Sequence, residues 1–197
     1  MEREADYVVN NFTKIILRKT KEAVVGVFFG LASAGINHGI YTLAERYFSF
    51  PYTSLMNPNT IEMNKVTNVK FRLVLLGATV LGPIHEEIYC RGLFQSLILR
   101  NSLHALTNRI SPTSNISKDH INLKVARVFI GSIAFSSIHL FNLYISKNKS
   151  LIFMQLISTF ATGLIYGTAM ETMGSVSAIT AHSVSNSLAY ANIFRKK

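Results

Sequence analysis

FRLVLLGATVLGPIHEEIYCRGLFQSLIL, residues 71–99, is a hydrophobic block that carries two adjacent carboxylates, Glu86 and Glu87, directly after a Gly82-Pro83 pair. As one straight helix it would be roughly 45 Å long, more than the roughly 30 Å hydrocarbon core of a bilayer. Proline cannot donate to the helix ladder, so a kink or a re-entrant element is expected at Pro83. Ionisable groups inside such a span are costly, and by default they mark a functional site.

The rest of the chain has the same character. It is 49% hydrophobic and only 15% charged, against about 25% charged in a soluble domain. The charges collect in the N-terminal stretch, around Lys65–Arg72, between Arg100 and Arg127, and at the C-terminal tail. Between them lie long segments almost free of charge. Further apolar segments run over residues 23–43, 125–145, 151–170 and 175–194. The expected fold is all-α: a polytopic transmembrane helix bundle of five to six spans, the count depending on the block around Pro83. No internal repeat and no separate soluble domain is visible.

Residues 1–22 read as an amphipathic surface helix or a cytoplasmic tail, with Val8, Phe12, Ile15 and Ile16 interleaved with Lys14, Arg18, Lys19 and Lys21. Residues 23–197 read as one membrane-embedded domain. In its first span the small residues Gly26, Gly30, Ser33 and Gly35 suit close helix packing. The net charge of +10 fits basic loops holding helix ends at an anionic cytoplasmic leaflet, and it does not point to nucleic acid, because the Lys and Arg flank apolar segments. The single cysteine, Cys90, excludes an intramolecular disulfide and a CxxC metal site. Basic residues at both ends argue for two cytoplasmic termini, which five simple spans cannot satisfy.

Most other acids fall outside the spans; Glu86 and Glu87 do not. Arg91 is four residues beyond Glu87, so on a helix the two share a face and can pair. Glu86 projects about 100° away and has no such partner. It is the carboxylate left for work as a general base, with burial expected to make it more basic. Two later spans each contribute a histidine. His139 follows Phe135 by four residues, and His182 precedes Asn186 by four. A carboxylate, two imidazoles and an amide on separate apolar helices would each be costly to bury without a partner.

HEEIYCRG thus contains EExxxR (Glu86, Glu87, Arg91), FSSIH contains FxxxH (Phe135, His139), and HSVSN contains HxxxN (His182, Asn186). Together, in this order and on separate spans, they resemble the CPBP (Abi) family of CAAX-prenyl-protease-like and bacteriocin-processing intramembrane peptidases. The resemblance covers roughly residues 70–192. It implies that Glu86 activates a water with help from His139, that His182 and Asn186 stabilise the oxyanion, and that Glu87 and Arg91 lock the helix carrying Glu86. Glu86, His139 and His182 are also of the type that ligates zinc with a fourth position left for water. A glutamate-dependent mechanism without metal fits the same residues.

Other intramembrane protease chemistries lack their motifs here. His85-Glu86 is followed by Tyr89 where HExxH needs its second histidine, GSVSA (174–178) is no serine-nucleophile turn, and the only aspartates are Asp6 and Asp119. Cys90 reads as a small buried filler, and Glu171 as interfacial at a helix end. The expected partners are a peptide or protein substrate, lipidated or not, and the bilayer, with a bacterial inner membrane as the expected location. The alternative from another class is a non-proteolytic scaffold, an immunity protein or a small transporter using buried Glu and His for binding. A transporter should show an internal repeat.

Overall fold

Each apolar segment closes its backbone hydrogen bonds within itself, as a bilayer demands. A computed structural model of the chain describes residues 2–48, 68–113, 116–141 and 149–195, and the regular structure among them is helical. Five helices result. Helix α1 is Glu2–Phe48, α2 is the continuous helical run 68–110, α3 is Ile121–Ile138, α4 is Lys149–Met173 and α5 is Ser175–Arg195. A single 3-10 turn, His139–Phe141, follows α3. Four stretches are long and apolar enough to cross a membrane: Asn11–Tyr47, Arg72–Ile110, Ile121–Phe141 and Ile152–Met173. The protein is an integral membrane protein.

The first helix does not break at residue 22, where a boundary between tail and span was expected. Glu22 is 2% exposed and is held from its own helix by Arg18 at 3.0 Å and Lys19 at 2.8 Å. These are the i−4 and i−3 positions that a helix brings together. Residues 44–70 read in the sequence as a polar loop after the first span; α1 continues to Phe48 and the next helix starts at Asn68, and residues 49–67 lie outside those described.

Pro83 neither breaks α2 nor turns it back. The chain passes through it with right-handed helical dihedrals at Leu81, Gly82, Glu87 and Ile88. The reason is a widened turn just before it: Gly77–Leu81 is π-helical, and the Gly82 N–H reaches back to the Gly77 carbonyl. In that i−5 register the next donor would be residue 83, reaching Ala78, and proline has no N–H to give. The Asn186 side chain of α5 donates to the Ala78 carbonyl instead, at 3.0 Å. A second wide segment, Ile88–Leu99, follows.

Helix directions follow from paired contacts. Gly26 and Gly30 of α1 face Ser177 and Val184 of α5, where an added Cβ would come within 2.6 and 2.7 Å of α5 atoms. Position numbers rise together along this seam, so α1 and α5 run parallel. Small residues permit that approach, as is usual between membrane helices. Contacts of Ser33 with Tyr166 and of Asn37 with Ser158 set α4 antiparallel to α1. Gly174, with φ of 102°, makes the tight reversal from α4 to α5, its N–H on the Met170 carbonyl at 3.0 Å. Because α1 and α5 run parallel, the start of α1 and the end of α5 lie at opposite faces of the bundle. Two cytoplasmic termini, expected from their basic residues, do not fit this arrangement.

The distribution of polarity is reversed from that of a soluble domain. Large apolar side chains such as Phe28, Leu73, Leu81, Ile88, Phe129 and Phe153 point outward. The interior holds Ser33, Glu87, Arg91, Gln95, Arg127 and His182, all at most 5% exposed. Lipid tails satisfy the first set, and polar groups that cannot face hydrocarbon find each other inside.

Candidate active site

Glu87 and Arg91 sit one turn apart on α2, as their spacing requires, and form an ion pair at 3.3 Å with both side chains at most 1% exposed. Taking a guanidinium out of water is expensive, so its surroundings must repay the cost. Arg91 lies over the face of Phe135, 4.9 Å from guanidinium carbon to ring centroid, and donates to the Gln95 side chain at 3.3 Å. Glycines of α3 and α4 leave room for this column. A Cβ on Gly131 would lie 3.1 Å from Gln95 Oε1, and one on Gly163 would lie 3.3 Å from Arg91 Nη2.

Glu87 has a second partner that helix spacing could not reveal. His182 Nδ1 of α5 lies 3.0 Å from Glu87 Oε1, and its Nε2 lies 3.8 Å from Glu86 Oε2. The imidazole therefore stands between adjacent carboxylates of one helix. An ionised carboxylate only accepts, so Nδ1 carries the proton toward Glu87 and Nε2 is the nitrogen turned to Glu86. The Glu86 side chain is 43% exposed and that of Glu87 1%. Burial was expected to tune Glu86; it is Glu87 that is buried. Glu86 is the open member of the pair.

The ring of His182 is enclosed by aromatics. Tyr166 of α4 stacks on it, with centroids 4.6 Å apart and planes 17° apart. Phe135 presents its edge at 5.7 Å. The same Phe135 meets His139 at 5.4 Å, so the FxxxH phenylalanine touches both histidines. His139 begins the 3-10 turn that ends α3, and its Nδ1 lies 3.1 Å from the Phe135 carbonyl. Asn186 is one turn beyond His182, with one amide N–H spent on Ala78. Glu86, Glu87 and His182 are thus in mutual contact. His139 joins them through Phe135, and Asn186 through the wide turn of α2. His182 lies eight residues past Gly174, about 12 Å into the bundle by helix rise.

Glu86, His139 and His182 do not make a zinc set. Among the described residues no three His, Cys, Asp or Glu side chains are arranged to hold a metal ion. The physical reason is their spacing: His182 is within reach of Glu86, whereas His139 meets the group only through the ring of Phe135, whose centroid lies 5.4 Å from His139 and 5.7 Å from His182. The metallopeptidase reading of these residues is not supported.

Two features had no sequence motif. One is Tyr166. The other is a polar column leading away from the site. Gln95 continues the line of Glu87 and Arg91 and donates to Glu171 at 3.1 Å. Arg127 of α3, 1% exposed, grips Glu171 through Nε at 2.9 Å and Nη2 at 2.7 Å. Its Nη1 bonds the Lys118 carbonyl at 2.8 Å. Glu171 is not merely interfacial. The repeated four-residue step Glu87, Arg91, Gln95 was the signal available in the sequence. Cys90 is buried against Phe135, Tyr166 and Ala181, a packing role. His104 lies in α2 with its ring nitrogen 3.1 Å from the Ile116 carbonyl.

No curated protein and no solved structure matches the chain. The Rce1-like type II CAAX prenyl endopeptidase family matches residues 68–188. The matched stretch runs from the start of α2 into α5, covers more than half of the chain, includes every motif residue described above and leaves α1 outside. The chain therefore belongs to the Rce1-like type II CAAX prenyl endopeptidase family, and with it to the intramembrane proteases.

Proposed function

We propose that the chain hydrolyses a peptide bond at or within the membrane through a water activated by Glu86. The observation that carries this reading is His182 standing between an open carboxylate, Glu86, and a buried one, Glu87. Glu86 accepts a proton from water, and the hydroxide adds to the scissile carbonyl carbon. His139 orients that water. His182, when doubly protonated, keeps one N–H on Glu87 and turns Nε2–H to the oxyanion. Asn186 adds its second amide N–H. Glu86 then returns the proton to the leaving amine as the C–N bond breaks.

The substrate class is a CAAX-type or leader-type peptide, with a lipidated C-terminal tail favoured. The outward apolar faces of the helices admit such a tail by lateral partition from the bilayer, and the family is named for prenylated substrates. The test uses the full chain in proteoliposomes with two peptides of one sequence, one farnesylated at cysteine and one not, beside an unlipidated leader-type peptide. Mass spectrometry reads the products. Cleavage of the farnesylated peptide is expected, with loss in Glu86→Gln. Cleavage of the leader peptide alone would reassign the substrate, and no wild-type cleavage of any of the three would overturn the reading.

A further inference from the structure

Four groups fix the surroundings of His182: Glu86, Glu87, Phe135 and Tyr166. The first three belong to motifs; Tyr166 does not. It comes from α4, is 2% exposed, and lies nearly parallel to the imidazole at 4.6 Å. Its hydroxyl is held by Ser33 of α1, whose Oγ donates to it at 2.9 Å, together with Ser185 of α5 and Thr162 of its own helix. The same Ser33 Oγ is 3.0 Å from Ser185 Oγ of α5, one turn after His182. Ser33 and Ser185 are each at most 1% exposed. A buried cluster of hydroxyls thus ties α1, α4 and α5 together directly beneath the imidazole.

A histidine ring turns about two side-chain bonds. Its hydrogen bond to Glu87 fixes one atom and leaves the ring free to tilt about that contact. The flat face of Tyr166 removes this freedom on one side, and Phe135, at 86° to the imidazole and 6.3 Å from Tyr166, packs beside the stacked pair. We propose that Tyr166, anchored by Ser33, is a positioning residue that holds the plane of His182 so that Nε2 stays turned to Glu86. It rests on the catalytic role given to His182 above, and it extends the site into α1, outside the residues 68–188 that define the family.

The experiment has an arm that needs no substrate. The full chain is labelled with 15N,13C-histidine in detergent micelles, and the His182 signals are identified by their loss in His182→Gln. Tyr166→Leu removes the stacked ring. The His182 ring-proton signals are expected to move downfield as the ring current is lost, and the two ring nitrogens to lose their distinct shifts as the tautomer preference weakens. Tyr166→Phe keeps the ring and is expected to restore the proton shifts. His182 signals unchanged in Tyr166→Leu would overturn the proposal, whether or not the protein cleaves any peptide.

A kinetic arm uses the farnesylated peptide. Tyr166→Phe removes the hydroxyl anchor and Ser33→Ala its link to α1, both keeping the ring, and each is expected to lower kcat about two- to ten-fold, the scale of one hydrogen bond, with KM unchanged. The double variant should lose no more than Tyr166→Phe alone, because the phenylalanine has already lost the link that Ser33→Ala breaks. Ser33→Ala deletes one oxygen and keeps the protein folded if Tyr166→Leu does not. Strictly additive losses, or a change in KM alone, would overturn the anchoring role. Wild-type protein that cleaves nothing but shows the shifts would sink the peptidase reading and leave the brace in place.

Discussion

His182 and Glu87, 95 positions apart in the chain, meet at 3.0 Å in the interior. The contact gives Glu87 two roles at once, since it also faces Arg91 at 3.3 Å. A carboxylate shared by a guanidinium and an imidazole braces its own helix and sets the orientation of a ring on another.

The two adjacent glutamates are therefore expected to fail differently. Glu86→Gln is isosteric but cannot take a proton. It should abolish turnover while leaving the melting temperature close to wild type. Glu87→Gln should lower both, because it weakens the pair with Arg91 and offers His182 a neutral partner. Cleavage rate per folded molecule, measured beside a melting curve, separates them. A well-folded, inactive Glu87→Gln with an active Glu86→Gln would exchange the roles of base and brace.

Arg91→Ala leaves Glu87 buried with only His182 for a partner, and empties the slot made by Gly131 and Gly163. Breaking a buried pair costs about 3–5 kcal/mol. A sharp fall in folded yield and melting temperature is expected, measured by size exclusion and thermal unfolding in detergent. Arg91→Lys should recover little, since an ammonium cannot span Glu87 and Gln95 while lying flat on Phe135. Wild-type stability in Arg91→Ala would remove the structural role of the pair.

How much of this was legible in the sequence depends on the length scale of each contact. The helices, the Glu87–Arg91 pair and the small-residue face of α1 follow from periodicity and i+4 spacing, and they are present. The fate of Pro83 was not legible. A proline signals a break unless a turn before it widens, and the widening depends on Asn186 from another helix taking the freed carbonyl. Partners of Glu87 and Glu171 on distant helices leave no local trace. Tyr166 looked like any aromatic on an apolar helix, because its meaning lies in the residue stacked on it.

The bidentate pair of Arg127 with Glu171 lies beyond Gln95, away from the proposed chemistry. Arg127→Ala should cost about 3–5 kcal/mol of stability by stranding Glu171. The paired replacement Arg127→Met with Glu171→Leu should recover most of it, since two charges leave the interior together. Turnover per folded molecule should stay near wild type in the paired variant. Thermal unfolding of the two single variants and the pair checks the expectation, and purely additive losses would contradict it.

Pro83→Ala supplies the N–H that the wide turn lacks. The Ala78 carbonyl then has a partner in its own helix, and Asn186 is released. Asn186→Ala is expected to destabilise the wild-type background and to matter far less in Pro83→Ala. A double-mutant cycle on melting temperature measures the coupling. Equal effects of Asn186→Ala in both backgrounds would show that its amide does not cap that carbonyl.

The wide turns of α2 also carry a consequence about reading frame. A π-turn encloses one residue more than an α-turn, so it behaves as an insertion already absorbed by the helix. Removing one residue between 77 and 81 would let ordinary α-turns close, keep a span long enough for the bilayer and leave the residues on either side facing as before. Removing one residue from an α-turn such as 82–87 would instead rotate one side of the cut by about 100° relative to the other. The first deletion is expected to yield a protein that inserts, folds and still brings its carboxylates to His182. The second is expected to carry them out of phase with it.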